Sequence, residues 1–252
     1  MHNHTIDAFE VNGRTTVRSG DGAFLRVQRT STSPTAESDL PCGVAGRVRA
    51  ELAERRESRI RPSPGREGVG ILAPQSWRQE LEAAFGGRAP VWLDSAGDVP
   101  ATVGLVLQMA GAAHERTALD HLPGAGTAVL RCYREGELIF VDPLAIEAQD
   151  PTGAQVLRRR LAASPAASEL RAWLDASVAA DTGPADIPAA AKIILSARLL
   201  TTIAAWQQDT PAVTTLRHTL WRLDTATLAA SDHPLLPFPE PALLPALPAP
   251  RP

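Results

Sequence analysis

The residues of this chain best equipped for chemistry are six histidines and two cysteines, and their spacing does not assemble them. His2, His4, His114, His121, His218 and His233 form no HxxxH or HxxE pattern. His114 and His121 stand about two helical turns apart, too far to chelate one ion from a single helix. Cys42 and Cys132 make no CxxC pair, which excludes a four-cysteine zinc site and a disulfide framework within one chain. Cys132 falls inside an apolar strand pattern and reads as a core residue. Acyl transfer by serine would call for a GxSxG elbow, and none is present.

A nucleotide would need a glycine-rich turn between a first strand and its helix. The turn in that position is Ala73-Pro74-Gln75-Ser76. Gly124-Ala125-Gly126 precedes a strand rather than opening a helix, so it reads as a plain turn. The arginine-rich stretch from Arg47 to Arg61 is interleaved with Glu51, Glu54 and Glu57, a pattern of salt-bridged solvation rather than of an RNA surface. Arg158, Arg159 and Arg160 cannot share one helix face, because successive residues are ~100° apart.

The elements around these residues centre on Thr127–Ala145, TAVLRCYREGELIFVDPLA. Two apolar runs separated by Arg134-Glu135-Gly136 predict a β-hairpin, with Val129, Arg131 and Tyr133 on one face and Leu130 and Cys132 on the other. Leu138-Ile139-Phe140-Val141 is apolar on both faces, which suits a strand covered on both sides. Upstream, VGILA, a helix from Ser76 through Phe85, VWLD, VGLVLQM and a polar helix near His114–Leu122 alternate strand and helix, the pattern of a doubly wound parallel sheet. Downstream, two helices divided at Ser164-Pro165 follow a helix start at Asp150-Pro151-Thr152-Gly153. A long helix over 186–206 has Ile193, Ala197, Leu200 and Ala204 on one stripe, broadened by Ile194 and Leu199, and is predicted to be buried. Thr215–Leu223 alternates like a final strand, and the proline-rich end reads as polyproline or disorder.

At the other end, residues 5–28 hold three short strand patterns, Ile6–Val11, Thr15–Arg18 and Phe24–Gln28, separated by Asn12-Gly13 and Gly20-Asp21-Gly22, hence an antiparallel meander. A helix with Val44, Val48 and Leu52 at helical spacing follows.

With 252 residues, 44% of them hydrophobic, the chain has material for a substantial core. A formal charge of −3, with Lys192 the only lysine, offers no global attraction to nucleic acid or anionic lipid. No basic region followed by an apolar core opens the chain, and no stretch reads as a membrane span of ~20 residues. The expectation is a cytoplasmic protein with neither nucleic acid nor membrane as partner, and with no cofactor or metal.

Three phrases resemble a known family: VDPLA (Val141–Ala145), QVLRRRLAASPAASELRAWL (Gln155–Leu174) and TLWRLDTATLAASDHPLLPFP (Thr219–Pro239). They are similar to the ThiF-like cyclodehydratase-partner proteins of azole-modified peptide and thiopeptide clusters. In that family a phrase like V-G-P-L-V follows the strand matched here by Leu138–Val141. The chain closes near S-x-H-P-V-L-P, matched by Ser231, His233, Pro234, Leu235, Leu236 and Pro237.

The resemblance implies an α/β protein in three parts. Residues 1–64 would be a winged-helix-like peptide-recognition module and linker. Residues 65–240 would form a degenerate Rossmann/ThiF-like domain with a helical C-terminal part, and 241–252 a disordered proline-rich tail. It also implies a non-catalytic subunit that binds the leader of a ribosomally made precursor by strand addition and presents it to a YcaO-type cyclodehydratase, which forms azolines from Cys, Ser or Thr. The implied peptide site is Phe24, Leu25, Arg26 and Val27 of the third strand, flanked by Val44, Val48 and Leu52. Family members that activate substrates carry a glycine-rich ATP turn, an adenylating arginine/aspartate set and often paired CxxC ligands, all missing here. Two alternatives stay open: an adenylating enzyme with an atypical site, and a structural subunit working through the 186–206 helix and the tail.

Overall fold

The computed structural model describes residues 7–12, 14–18, 24–27, 50, 51, 54, 61–85, 90–176 and 184–235. The chain divides into two compact units, Met1–Arg61 and Pro62–Pro252.

The first unit holds an antiparallel sheet in the order β1-β2-β3, formed by β1 (Asp7–Val11), β2 (Arg14–Arg18) and β3 (Phe24–Val27). Asn12 takes a positive φ of 54° in the tight β1–β2 turn, a conformation that asparagine tolerates better than most residues. Cross-strand partners Ala8, Val17 and Leu25 share one face, where Ala8 and Val17 are buried. Residues 50, 51 and 54 are helical; Val44, Val48 and Leu52 lie outside the described residues.

The second unit is built on a seven-stranded mixed sheet, β10-β9-β8-β7-β6-β4-β5. Strands β4 (Val69–Leu72), β5 (Val91–Trp92), β6 (Leu105–Ala110) and β7 (Ala128–Glu135) run parallel. Strands β8 (Leu138–Val141), β9 (Thr219–Asp224) and β10 (Ala230–Pro234) complete it antiparallel.

Both faces are covered, which is why β6 is buried along its whole length. On one face Ile71, Leu105, Leu107, Leu130, Ile139 and Leu223 meet Leu81 and Phe85 of α1 (Arg78–Phe85) and Leu195, Leu199, Ile203 and Trp206 of α4 (Ala189–Gln207). On the other, Tyr133, Phe140, Leu220 and Leu235 meet Val156 of α2 (Gly153–Ala163). Each large apolar side chain so buried contributes about 1.5–3 kcal/mol. Helices α3 (Ala167–Ala176) and α5 (Ala212–Leu216) complete the unit.

The central hairpin forms with the alternation its sequence predicts: Leu130 and Cys132 enter the larger core, Val129 and Tyr133 the opposite one. Its turn is tighter than expected. Glu135 pairs with Leu138, leaving Gly136-Glu137 as a two-residue connection, and Gly136 supplies a φ of +61°.

Other expectations are corrected. Instead of a polar helix over His114–Leu122, a short 3-10 helix, Ala113–Thr117, and a run of turns occupy that stretch. The first turn of the Ser76–Phe85 helix is likewise 3-10, over Gln75–Trp77, and VWLD shortens to Val91–Trp92. Thr215 and Leu216 are helical, so the final alternating strand starts at Thr219. Within the proline-rich end, Ala230–Pro234 forms an edge strand; an edge accepts proline because it demands fewer donors.

The largest correction concerns α4, whose expected stripe is only partly inward: Ile193 and Ala197 are exposed, whereas Ile194 and Leu200 pack against the core and Leu199 is buried. Ile193 is 70% exposed, and Ala191, Leu195, Leu199, Ile203 and Trp206 form the buried face instead. The helix is apolar all round, so periodicity cannot choose its inner side. Its length and mean hydropathy of 1.3 would suit a membrane span, correcting the expectation that no stretch qualifies, but its inner face is part of the core. Ile193→Gln is therefore expected to change unfolding free energy by less than about 0.5 kcal/mol in urea titration; a larger loss would mean that this face is covered.

Candidate functional site

Three places could support function. The first is where the sheet reverses direction: β4 has β5 on one side and β6 on the other, and in such sheets ligands bind beyond the strand C-termini at this point. After β4, Pro74 caps the short 3-10 helix and has no N–H to offer. Trp77, only 5% exposed, packs into the core and lines a small cavity with Met109, Ala110, Cys132, Tyr133, Arg134, Ile139 and Leu195. The space holds about one water molecule, far less than a purine requires. Burial, then the nearby Asp142, pushes the Cys132 thiol up, so it is a packing residue rather than a thiolate nucleophile.

The second place is a charged cluster on the opposite face. Glu135 accepts hydrogen bonds from both terminal nitrogens of Arg160, Nη1 at 2.8 Å and Nη2 at 2.5 Å, and from Arg116 Nη1 at 2.5 Å. All three side chains are nearly buried. The Arg116 guanidinium lies 3.8 Å from the Tyr133 ring centre, and that of Arg160 lies 4.1 Å from the Phe140 ring centre, positions that favour cation–π attraction. Burial alone would raise the Glu135 carboxyl; the Arg160 hydrogen bonds and charge, with Arg116, outweigh it and hold it below the usual carboxylate range.

Nearby, Arg131 is fully buried and donates to Asp120 Oδ1 at 2.6 Å. The Asp120 carboxylate also accepts the backbone N–H groups of Gly153 and Ala154 at the start of α2, where a negative charge complements the helix dipole. Glycine is required at position 153 because a Cβ there would lie 2.3 Å from the Arg116 carbonyl oxygen. Thr152 caps the same helix through Gln155 N–H. The helix N-terminus is thus already occupied by the protein's own side chains. The cluster reads as structure.

Asp142 adds a pH dependence. Its carboxyl accepts from the Tyr133 hydroxyl at 2.9 Å, and burial pushes its pKa up to about 6 against the opposing charges of Arg131, Arg160 and Arg116. A folded-state pKa above the unfolded value means that the native state holds the proton more tightly. Stability therefore falls as pH rises from about 4 to about 6, by about 3 kcal/mol at full effect. Asp142→Asn keeps an acceptor for Tyr133 and is expected to remove this slope, seen by comparing urea midpoints of the two proteins across that range. An unchanged slope would assign it to another group.

The third place is the small N-terminal sheet, whose strand β3 has no further neighbour among the described residues. Phe24 is 60% exposed, and Leu25, Arg26 and Val27 follow it along the edge. The ends of the larger sheet are less open to a new strand: β5 has two residues, and β10 carries Asp232 and Pro234, both devices that discourage pairing. Of the seven residues expected at a peptide site, the structure gathers Phe24 to Val27 on one edge; the other three lie outside the described residues.

The phrases that carry the family resemblance are architectural. Asp142, Leu144 and Ala145 are buried, and Ala145 bridges back to Val129. On β10, Ser231 Oγ lies 2.9 Å from His233 Nε2 on an exposed surface, and Leu235 N–H donates to the His218 carbonyl to close the edge. Among the described residues no cluster of His, Cys, Asp and Glu could hold a metal ion. The sequence singled out neither the Glu135 cluster nor Asp142 as interacting groups.

No family model matches the sequence, and no curated protein matches it. Solved structures do. A heterocyclase in complex with substrate and cofactor aligns over 92% of this chain and 37% of its own, with a TM-score of 0.53 and 12% identity. The heterocyclase TruD aligns over 93% of this chain and 42% of its own, with a TM-score of 0.51 and 14% identity. A chain of the E. coli microcin synthetase McbBCD complex with pro-MccB17 bound aligns over 93% of this chain and 96% of its own, at 0.51 and 11%. The protein thus spans about two fifths of the heterocyclase chains and nearly the whole of the microcin synthetase chain. The likeness shows a shared α/β fold.

Proposed function

We propose that this protein is a non-catalytic subunit of an azoline-forming synthetase, binding the leader of a ribosomally made precursor peptide and presenting it to a YcaO-type cyclodehydratase. The observation that carries this reading is the edge of β3, unpaired among the described residues, in a small sheet of its own, in a chain whose larger unit has the fold of heterocyclase and microcin synthetase chains. An extended peptide can add to such an edge through backbone hydrogen bonds and read specificity through alternate side chains. The turn after β4, Ala73-Pro74-Gln75-Ser76, which is no glycine-rich phosphate loop, favours this role over adenylation. Its compartment in this reading is the cytoplasm.

The test is reconstitution. A precursor encoded beside the gene is incubated with its YcaO-type enzyme and ATP, with and without this chain, and water loss from the core peptide is followed by mass spectrometry. Heterocycles should form only when the chain is present. Equal yields without it would remove the role.

A further inference from the structure

The register of the small sheet places a specific set of side chains on its open face. Cross-strand partners share a face, so the rows on this side are Asp7, Arg18 and Phe24; then Phe9, Thr16 and Arg26; then Val11 and Arg14. The opposite face carries the buried Ala8 and Val17. On the open face Phe9 and Phe24 meet edge to face, their ring centres 6.2 Å apart, reaching across the intervening strand over the small Thr16, which is accordingly buried. Phe24 still leaves 60% of its surface to solvent, and Val11 leaves 45%.

Arg14, Arg18 and Arg26 are all exposed, and none is in an ion pair with a described residue. Asp7 is the one acidic residue at these register positions. In a chain of net charge −3, this face is a local exception: cationic, with an exposed aromatic ring on its β3 edge.

We propose that this face selects an extended peptide carrying an acidic residue two positions from a large apolar one. The inference rests on the peptide-binding reading above and names the chemistry that the site would take. A strand added beside β3 puts every second residue on this face. Residues opposite Phe24 and Arg26 in β3 are therefore two apart in the peptide. An apolar side chain beside Phe24 extends the Phe9–Phe24 cluster, and a carboxylate opposite Arg26 meets its guanidinium in a row whose other members, Thr16 and Phe9, bring no competing acid. Arginine suits this role because its planar fork can grip a carboxylate with two donors. A basic sheet face with an aromatic ring could also stack single-stranded nucleic acid. Peptide is favoured because the β3 edge, unpaired among the described residues, supplies backbone partners, and because the half-buried Phe9 and exposed Phe24 are spent on each other rather than laid flat as separate stacking platforms.

The experiment is selection of a randomised peptide display library on the full-length protein, followed by fluorescence polarisation of synthesised winners. The proposal expects enrichment of Asp or Glu two positions from Phe, Leu, Ile or Met. Binding should weaken by about fivefold in Arg26→Glu, the scale of one cross-strand charge pair, and less in Arg26→Gln. A peptide with its acid changed to lysine should recover affinity for Arg26→Glu, a readout that simple misfolding cannot produce. Winners without an acidic preference, or indifferent to charge reversal, would overturn this inference and leave peptide binding intact. No enrichment of any peptide would overturn both. Tight binding of a fluorescent oligothymidylate that displaces the winners would assign the face to nucleic acid instead.

Discussion

Replacing Glu135 by alanine is expected to lower the unfolding free energy by about 3–5 kcal/mol, because it strands Arg116 and Arg160 as buried, uncompensated cations. The three side chains are 7%, 8% and 13% exposed respectively, so water cannot take over the lost hydrogen bonds. Two aromatic rings beneath the guanidiniums soften the loss without supplying a counter-charge. The cluster joins β7 to α2 and to the turns after β6, and the damage should spread across that face. Urea denaturation followed by circular dichroism measures it. A triple replacement by apolar residues of similar volume, Arg116→Met, Glu135→Leu and Arg160→Met, should recover most of the loss, since removing a whole buried ion network is often neutral. A near-neutral Glu135→Ala would show that the cluster is solvated. The sign with pH follows from the depressed Glu135 carboxyl: its contribution is present at neutral pH and is lost as the medium becomes acidic.

The second large effect belongs to the β3 edge. Consecutive N–H groups of a strand point to opposite sides, so of Leu25 and Arg26 one donates toward β2 and the other toward the open edge. Proline at the outward position removes a donor the sheet does not use, leaving the fold intact while peptide affinity falls by more than about tenfold. Proline at the inward position breaks the ladder to β2 and disturbs the module itself. Leu25→Pro and Arg26→Pro are thus expected to differ: one folded and unable to bind, the other destabilised. If the folded variant binds its peptide as tightly as wild type, strand addition at β3 is wrong.

Much of the frame was legible because strand periodicity and turn chemistry are local. The alternation in AVLRCY assigned Leu130 and Cys132 to one core and Val129 and Tyr133 to the other, as observed, and it put Arg131 on the correct face without revealing that it is buried. The Glu135 cluster was invisible for a different reason: its partners lie 19 and 25 residues away, and no spacing rule links a strand end to a 3-10 turn and a helix. The side of α4 could not be read because a helix apolar all round carries no phase. Strand β10 was hidden by Pro234 and its polar neighbours, which suit an edge but resemble a loop. At the proposed peptide edge, the three strands were readable from Asn-Gly and Gly-Asp-Gly turns, and the order β1-β2-β3 followed from their antiparallel succession. The partnering of Phe9 with Phe24 across Thr16 needed the register.

The most direct test of the account is fluorescence polarisation of labelled leader peptides, taken from precursor-like reading frames beside the gene, titrated with the full-length protein alone and with its YcaO-type partner. The account predicts saturable binding by the protein alone, lost in whichever β3 proline variant stays folded. Binding that occurs only when the partner is present, or that survives in that variant, would contradict it.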